Sequence, residues 1–305
     1  MNKRLADAPE HVLSHFGLQG LGREEVSDLN DVVVSQSWIF EHVVLQARPV
    51  LLLERMLLLH QLSELEGALE GMRFIGKIMS DDGRYLSEAT SSSKGRLLWS
   101  LQPRLESCAL LYGKEFSPAK LLQNSMRVLP EVISQLRSLD RLVNAEMLKG
   151  LPESRGTEGQ KASSRSLASE LILAYPQLAQ VADLPAKEKY SPLVAAHGDP
   201  VLKNIILTSQ GAKLIDFEAI ALLPRHMDLV HMAAFVCKRS PFESWSLILE
   251  SHWQLCQEEL EGWAFEDWQL SACWYLIREL LFFPPSTGLV NYLQGLSQQI
   301  KLCLV

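Results

Sequence analysis

What this sequence lacks narrows its possibilities first. Its five cysteines, at 108, 237, 256, 273 and 303, include no CxxC pair and are odd in number. Neither a disulfide framework nor a zinc-ribbon spacing is present, so the expectation is free, mostly core thiols in a reducing compartment. A basic surplus is missing as well. Lys and Arg number 29 against 36 Asp and Glu, a net charge of −7, which argues against nucleic acid as a partner because phosphate backbones need a concentrated basic face. No apolar run reaches the ~20 residues of a membrane span; the greasiest, PVLLLERMLLLHQL, is broken by Glu54 and Arg55. The opening MNKRLADAPEH carries no apolar signal stretch. The expectation is a cytoplasmic, globular chain whose 305 residues suit two domains, or two lobes sharing one site.

What is present changes character along the chain. DAPEHVLSHFGL opens with an N-cap candidate at Asp7 and ends at Gly17, which predicts a short helix. DVVVSQ and WIFEHVVLQA are rich in β-branched and aromatic residues and predict a pair of strands. Pro49 then starts an apolar helix to about Leu65. MRFIGKIMS, RYLSEAT and RLLWSLQP, separated by DDG and SSSKG, read as an antiparallel meander. From about Ser117 the apolar spacing becomes three and four, a helix that Pro130 can kink. Residues 149–165 read as a surface loop, and the Trp- and Leu-rich segments after residue 230 as helices. The fold class expected is α+β, with a small β-rich N-lobe over 1–103 and a larger, mainly helical C-lobe over 104–305.

The chemistry concentrates in AHGDPVLKN (196–204) and KLIDFEAIALLPRHMDLVH (213–231). In both, polar residues stand at the ends of short apolar strands, where charged groups serve a site more often than a core. Phosphoryl transfer from a nucleotide needs a carboxylate to orient the acceptor hydroxyl and take its proton. It also needs an Asn and a second Asp to hold Mg²⁺ against phosphate oxygens. His197, Asp199 and Asn204 reproduce the H-x-D-x-x-x-x-N spacing that serves this purpose in protein kinases, and Asp216 follows one β-turn-β unit later. The bland alternative is a polar loop with capping Asp and Asn.

With Gly in place of Arg after His197, and the second Asp in IDFE rather than DFG, the pattern resembles the aminoglycoside phosphotransferase and choline kinase family. The segment RHMDLVHMAAF and the stretch from SDDGRYLSEA to GRLLWSLQPRL resemble that family too. The resemblance implies a two-lobed protein-kinase-like fold and Mg²⁺-dependent transfer of the γ-phosphate of ATP or GTP to a hydroxyl of a small molecule. Carried over residue by residue, it implies Asp199 as catalytic base, His197 as a brace of its loop and Asp228 as a holder of the loop backbone. Asn204 and Asp216 would be the metal ligands, and Glu218 either lies near the metal or caps the next turn. Gln102, in the hinge, would lie at the adenine edge.

One family element is missing: no Lys stands between Lys3 and Lys77. Arg48 is the candidate replacement on the phosphates, since a guanidinium also binds phosphate, with Glu54 as its helix partner; an exposed strand-end Arg is the other reading. A Gly-rich phosphate loop is absent too. These absences motivate an alternative, a pseudokinase acting as a nucleotide-binding or regulatory module. His11 and His15 lack the Glu and third ligand of a zinc site, and His226 and His231, bracketing Asp228, read as packing or as supports of the site rather than ligands. Glu261, Trp263, Glu266, Asp267, Trp268 and Trp274 form either a pocket for a cationic substrate or ordinary helical core.

Overall fold

The structure, a computed structural model, describes residues 10–22, 24–26, 29–30, 33–34, 36–49, 77–78, 87–89, 96–113, 115–143 and 192–282, with a few isolated positions besides. Two compact units divide the chain: Met1–Glu106 with Gly150–Arg155, and Ser107–Lys149 with Gly156–Val305. The first is dominated by sheet and the second by helix, as the composition of the two halves leads one to expect.

In the first unit, α1 (Glu10–His15) is followed by β1 (Glu24–Val26), β2 (Leu29–Asn30), β3 (Val33–Val34), β4 (Gln36–Ile39), β5 (Val43–Pro49), β6 (Lys77–Ile78), β7 (Ser87–Ala89) and β8 (Arg96–Pro103). The main sheet is antiparallel in the order β1-β4-β5-β8-β6, with β7 also on β8. Its register places Trp38 opposite Leu45 and Ala47 opposite Trp99. Those side chains, with Phe40 and with Val12 and Leu13 of α1, form the core of the unit. Trp38 of β4 and Trp99 of β8 stack at 5.3 Å across the intervening β5, an aromatic contact that adds to the burial of both rings.

Three expectations change here. WIFEHVVLQA is not one strand: it folds back at Glu41–His42, where the Phe40 amide donates to the Val43 carbonyl (2.9 Å). Nothing in that turn is Gly, Pro or Asn, which is why composition misses it. The meander is not sequential either, because β6 and β7 both pair with β8, at Leu101–Ser100 and Leu98–Arg96 respectively. Pro49 ends β5 instead of opening a helix. The helix expected from Pro49 to Leu65, Glu54 included, lies outside the described residues except for Leu58, which is helical and buried. The 149–165 loop lies outside them too.

The second unit opens with α2 (Pro118–Leu142). Ser117 caps it, its hydroxyl accepting from the Lys120 amide, and Pro118 sits in the first turn, where a missing N–H costs nothing. The helix runs on through Pro130. β9 (Leu193–Ala196), β10 (Ile205–Thr208), β11 (Gly211–Leu214) and β12 (Ala221–Pro224) follow, β10 pairing with β11 and β9 with β12. Gln135 of α2 stitches the helix to β11: its Nε2 donates to the Ala212 carbonyl (2.8 Å), and its Oε1 accepts from the Leu214 amide (3.0 Å). The unit continues with α3 (His226–Cys237), α4 (Trp245–Cys256) and α5 (Phe265–Phe282). α3 packs against α2, α4 and α5, and all its residues are buried, its polar His226, Asp228 and His231 included. Among the described residues no helix is long and apolar enough to cross a membrane.

Candidate functional site

The β9–β12 pair and the β10–β11 hairpin bring the two motifs together. β9 delivers His197 directly into a loop that ends in a short 3₁₀ turn, Leu202–Asn204. The hairpin then returns the chain, so that Ile205 faces Leu214 and the Ile215 amide donates to the Asn204 carbonyl at 2.9 Å. Asp216 therefore stands one residue from the position paired with Asn204.

Asp228 organises the loop from behind. Its carboxylate, buried at 3% exposure, accepts from the amides of His197 (2.6 Å) and Gly198 (2.9 Å). Burial pushes its carboxyl above the ordinary range, and the two amide hydrogen bonds pull the other way. His197 is clamped at both ring nitrogens: Nε2 donates to the Ile215 carbonyl (2.9 Å), and Nδ1 accepts from the Asp199 amide (3.2 Å). Phe217 packs on the ring at 4.4 Å. The loop imidazole thereby ties the Asp199 turn to the strand that leads to Asp216.

Gly198 has φ +82°, and a Cβ there would lie 2.1 Å from the Ala219 carbonyl oxygen. Only glycine fits, so the 217–219 turn packs directly on the loop backbone. Asp216 is, among the described residues, the one non-glycine with positive φ (φ 65°, ψ 58°). Asp tolerates this left-handed conformation better than most residues, and such outliers gather at functional sites.

Asp199 itself is held at both carboxylate oxygens. Oδ2 accepts from Asn204 Nδ2 (2.9 Å) and lies 3.6 Å from Lys203 Nζ, while Oδ1 lies 3.2 Å from His231 Nε2. Asn204 Nδ2 also donates to the Asp199 carbonyl (2.9 Å). The side chain of Asp199 is 25% exposed, enough for a small molecule to reach it. His197, Asp199, Asn204, Asp216 and Asp228 thus share one region. Lys203 carries no separate signal in the sequence, and His231 reads there as packing or as a support of the site; its position three residues after Asp228, on the same helix face, is the cue that favours support.

The fit to a divalent cation follows from the donor set. Asn204 Nδ2 is committed to Asp199, so its amide oxygen is the group left to serve as a ligand, and Asp216 adds a carboxylate one residue past the Ile215 amide that bonds the Asn204 carbonyl. Among the described residues no group of three or more His, Cys, Asp and Glu is arranged to hold a metal. A site of one amide oxygen and one carboxylate suits Mg²⁺, which keeps waters and takes substrate phosphate oxygens, better than an all-protein cage.

Gln102 is half-buried in β8, opposite Val44. Arg48 pairs with Leu98 in β5, but its side chain lies outside the described ones, as do Glu54 and the Glu218 side chain. Of the two readings of the Trp-rich acidic segment, helical core accounts for part of it. Trp268 and Trp274 are core, and Asp267 accepts from the Ala264 amide at the start of α5. Only Glu261 and Trp263 line a cavity, of about 420 Å³, with Arg137, Pro192 and Arg225. Pro192 precedes β9 and Arg225 follows β12, so this cavity sits at the end of the strand pair away from His197.

Comparison with known proteins agrees with the geometry. The profile described as the phosphotransferase enzyme family matches residues 82–265. No curated protein matches significantly. Among solved structures, an amicoumacin kinase superposes with a TM-score of 0.58 at 13% identity, covering 96% of this chain and 92% of its own. An aminoglycoside phosphotransferase from Streptomyces rimosus gives 0.52 at 15%, covering 90% and 98%. An ethanolamine kinase from Plasmodium vivax gives 0.52 at 14%, covering 97% and 88%. At these identities the likeness is one of fold: two-lobed, α+β and kinase-like.

Proposed function

Because the chain belongs to the phosphotransferase enzyme family, we propose that it transfers the γ-phosphate of ATP or GTP to a hydroxyl of a small molecule such as an aminoglycoside, an amino alcohol or a sugar. The observation that carries this reading is the state of Asp199: a partly exposed carboxylate, fixed through both oxygens and hydrogen-bonded to Asn204. Solved structures of similar fold hold AMP-PNP, ADP or GDP, which supports a nucleotide as phosphate donor.

In this reading Asp199 orients the acceptor hydroxyl and takes its proton as the oxygen attacks phosphorus in line with the leaving group. Asp228 and His197 hold the loop that carries it. The amide oxygen of Asn204 and the carboxylate of Asp216 would hold Mg²⁺, which when bound neutralises phosphate charge and aligns the β- and γ-phosphates. The chain contributes mainly placement and fixed electrostatics. In the first unit, Arg48, with Glu54, and Gln102 carry the nucleotide-contact assignment.

A second reading keeps nucleotide binding but not turnover, and it rests on the absence of Lys between positions 3 and 77. The deciding experiment is a nucleotide-consumption screen over amino alcohols, aminosugars, nucleosides and vitamins, with Asp199→Asn as the blank. Turnover with one acceptor class, lost by about 10²-fold or more in the variant, is expected. An Asp199→Asn protein that consumes nucleotide at the wild-type rate removes the base assignment. Thermal-shift titration with Mg-ATP, with and without Arg48→Ala, tests binding independently: no stabilisation at millimolar nucleotide removes the nucleotide role.

A further inference from the structure

We infer that His231 is a positioning residue for Asp199, an inference that rests on the phosphotransfer reading of this site. Asp228 and His231 lie three residues apart on α3 and therefore share a face. The first grips the loop backbone at His197 and Gly198, and the second reaches the carboxylate at Oδ1, 3.2 Å away. Oδ2 is already engaged by Asn204 at 2.9 Å and by Lys203 at 3.6 Å. With one oxygen held from the 3₁₀ turn and the other from α3, rotation of the carboxylate about its last side-chain bond is blocked.

An imidazole here is not what packing alone selects. His231 is 3% exposed, and its ring lies 4.2 Å from that of Tyr275, itself 6% exposed. An apolar residue would fill such a place without the cost of burying a polar ring. The imidazole is accounted for by the donor it aims at Asp199, and Tyr275 packs on its ring. Where catalysis is largely placement, a base free to pivot loses rate without losing affinity for the nucleotide.

The test uses the whole chain and Mg-ATP, with water as acceptor. His231→Ala is expected to lower kcat by about tenfold to a hundredfold, the range of one hydrogen bond to a charged group, with KM for ATP unchanged. His231→Gln, whose amide nitrogen falls where Nε2 lies, is expected to recover most of that loss. Long-range ¹H–¹⁵N correlation of the histidine rings is expected to show His231 protonated at Nε2, with that signal displaced in Asp199→Ala. Unchanged kcat in the Ala variant, a rise in KM alone, a folded Gln variant as slow as Ala, or a resting ring protonated only at Nδ1 would each overturn the inference. Wild-type hydrolysis no faster than that of Asp199→Asn overturns the phosphotransfer reading instead, and this one with it.

Discussion

His226 offers a sharp test of how the second unit responds to acid. The ring opens α3, is fully buried, and lies 4.2 Å from the ring of Trp263. Neither of its nitrogens has a hydrogen-bond partner among the described residues. Burial holds its pKa down at about 3, against 6.5 when exposed. The folded ring therefore stays neutral while the unfolded ring takes up a proton, so stability is lost as pH falls below 6.5 and the loss continues toward about 3. Integrated from pH 7 to pH 5, this one group removes about 2 kcal/mol. His226→Phe keeps a flat ring on Trp263 and abolishes the titration. Packing differences between the two side chains cancel when each protein is compared with itself at the two pH values. Buried His252, held at about 4, is common to both and cancels as well. Urea unfolding followed by Trp fluorescence at pH 7 and pH 5 gives the numbers. The variant is expected to lose about 2 kcal/mol less than wild type on acidification. Equal losses would show that His226 charges within the fold or is not buried, and the account of α3 would be wrong.

Two further changes probe the scaffold of the site. Gly198→Ala puts a methyl 2.1 Å from the Ala219 carbonyl at a residue with φ +82°. A loss of roughly 2–5 kcal/mol is expected from left-handed strain plus overpacking, seen as a lower urea midpoint; an unchanged midpoint refutes the close packing of the 217–219 turn. Gln135→Leu strands the Ala212 carbonyl and the Leu214 amide. Two buried groups left unsatisfied cost about 2–6 kcal/mol, and amide exchange at Leu214 is expected to quicken more than at residues of α4; uniform exchange would contradict the stitch.

The catalytic spacing was legible because its parts are local. His197, Asp199 and Asn204 lie on one loop, and Asp216 is one hairpin away, so the chain itself enforces their proximity. The helical half was legible from period, and Ser117 and Pro118 marked the start of α2. The sheet was legible in content but not in pairing, since β6 and β7 compete for the same edge of β8 and strand composition does not say which neighbour wins. The turn at Glu41–His42 escaped because no residue there demands a special conformation. Gln135 escaped, and His231 stayed undecided between packing and support of the site, for another reason. Each acts on a strand or loop distant in sequence, and on a uniformly buried helix such as α3 no polar stripe separates a working histidine from a packed one.

Asp228 and His231 give α3 a role beyond filling space. The backbone bend before Asp199 and the angle of its carboxylate are both referenced to a single strut, and that strut has no solvent-facing side. A shift of the strut would carry bend and carboxylate together, leaving their mutual alignment intact. In the proposed reaction, re-aiming Asp199 for a differently shaped acceptor would require rebuilding the hydrophobic interior around it. Changes in what this scaffold accepts are therefore cheapest in segments that do not touch that strut.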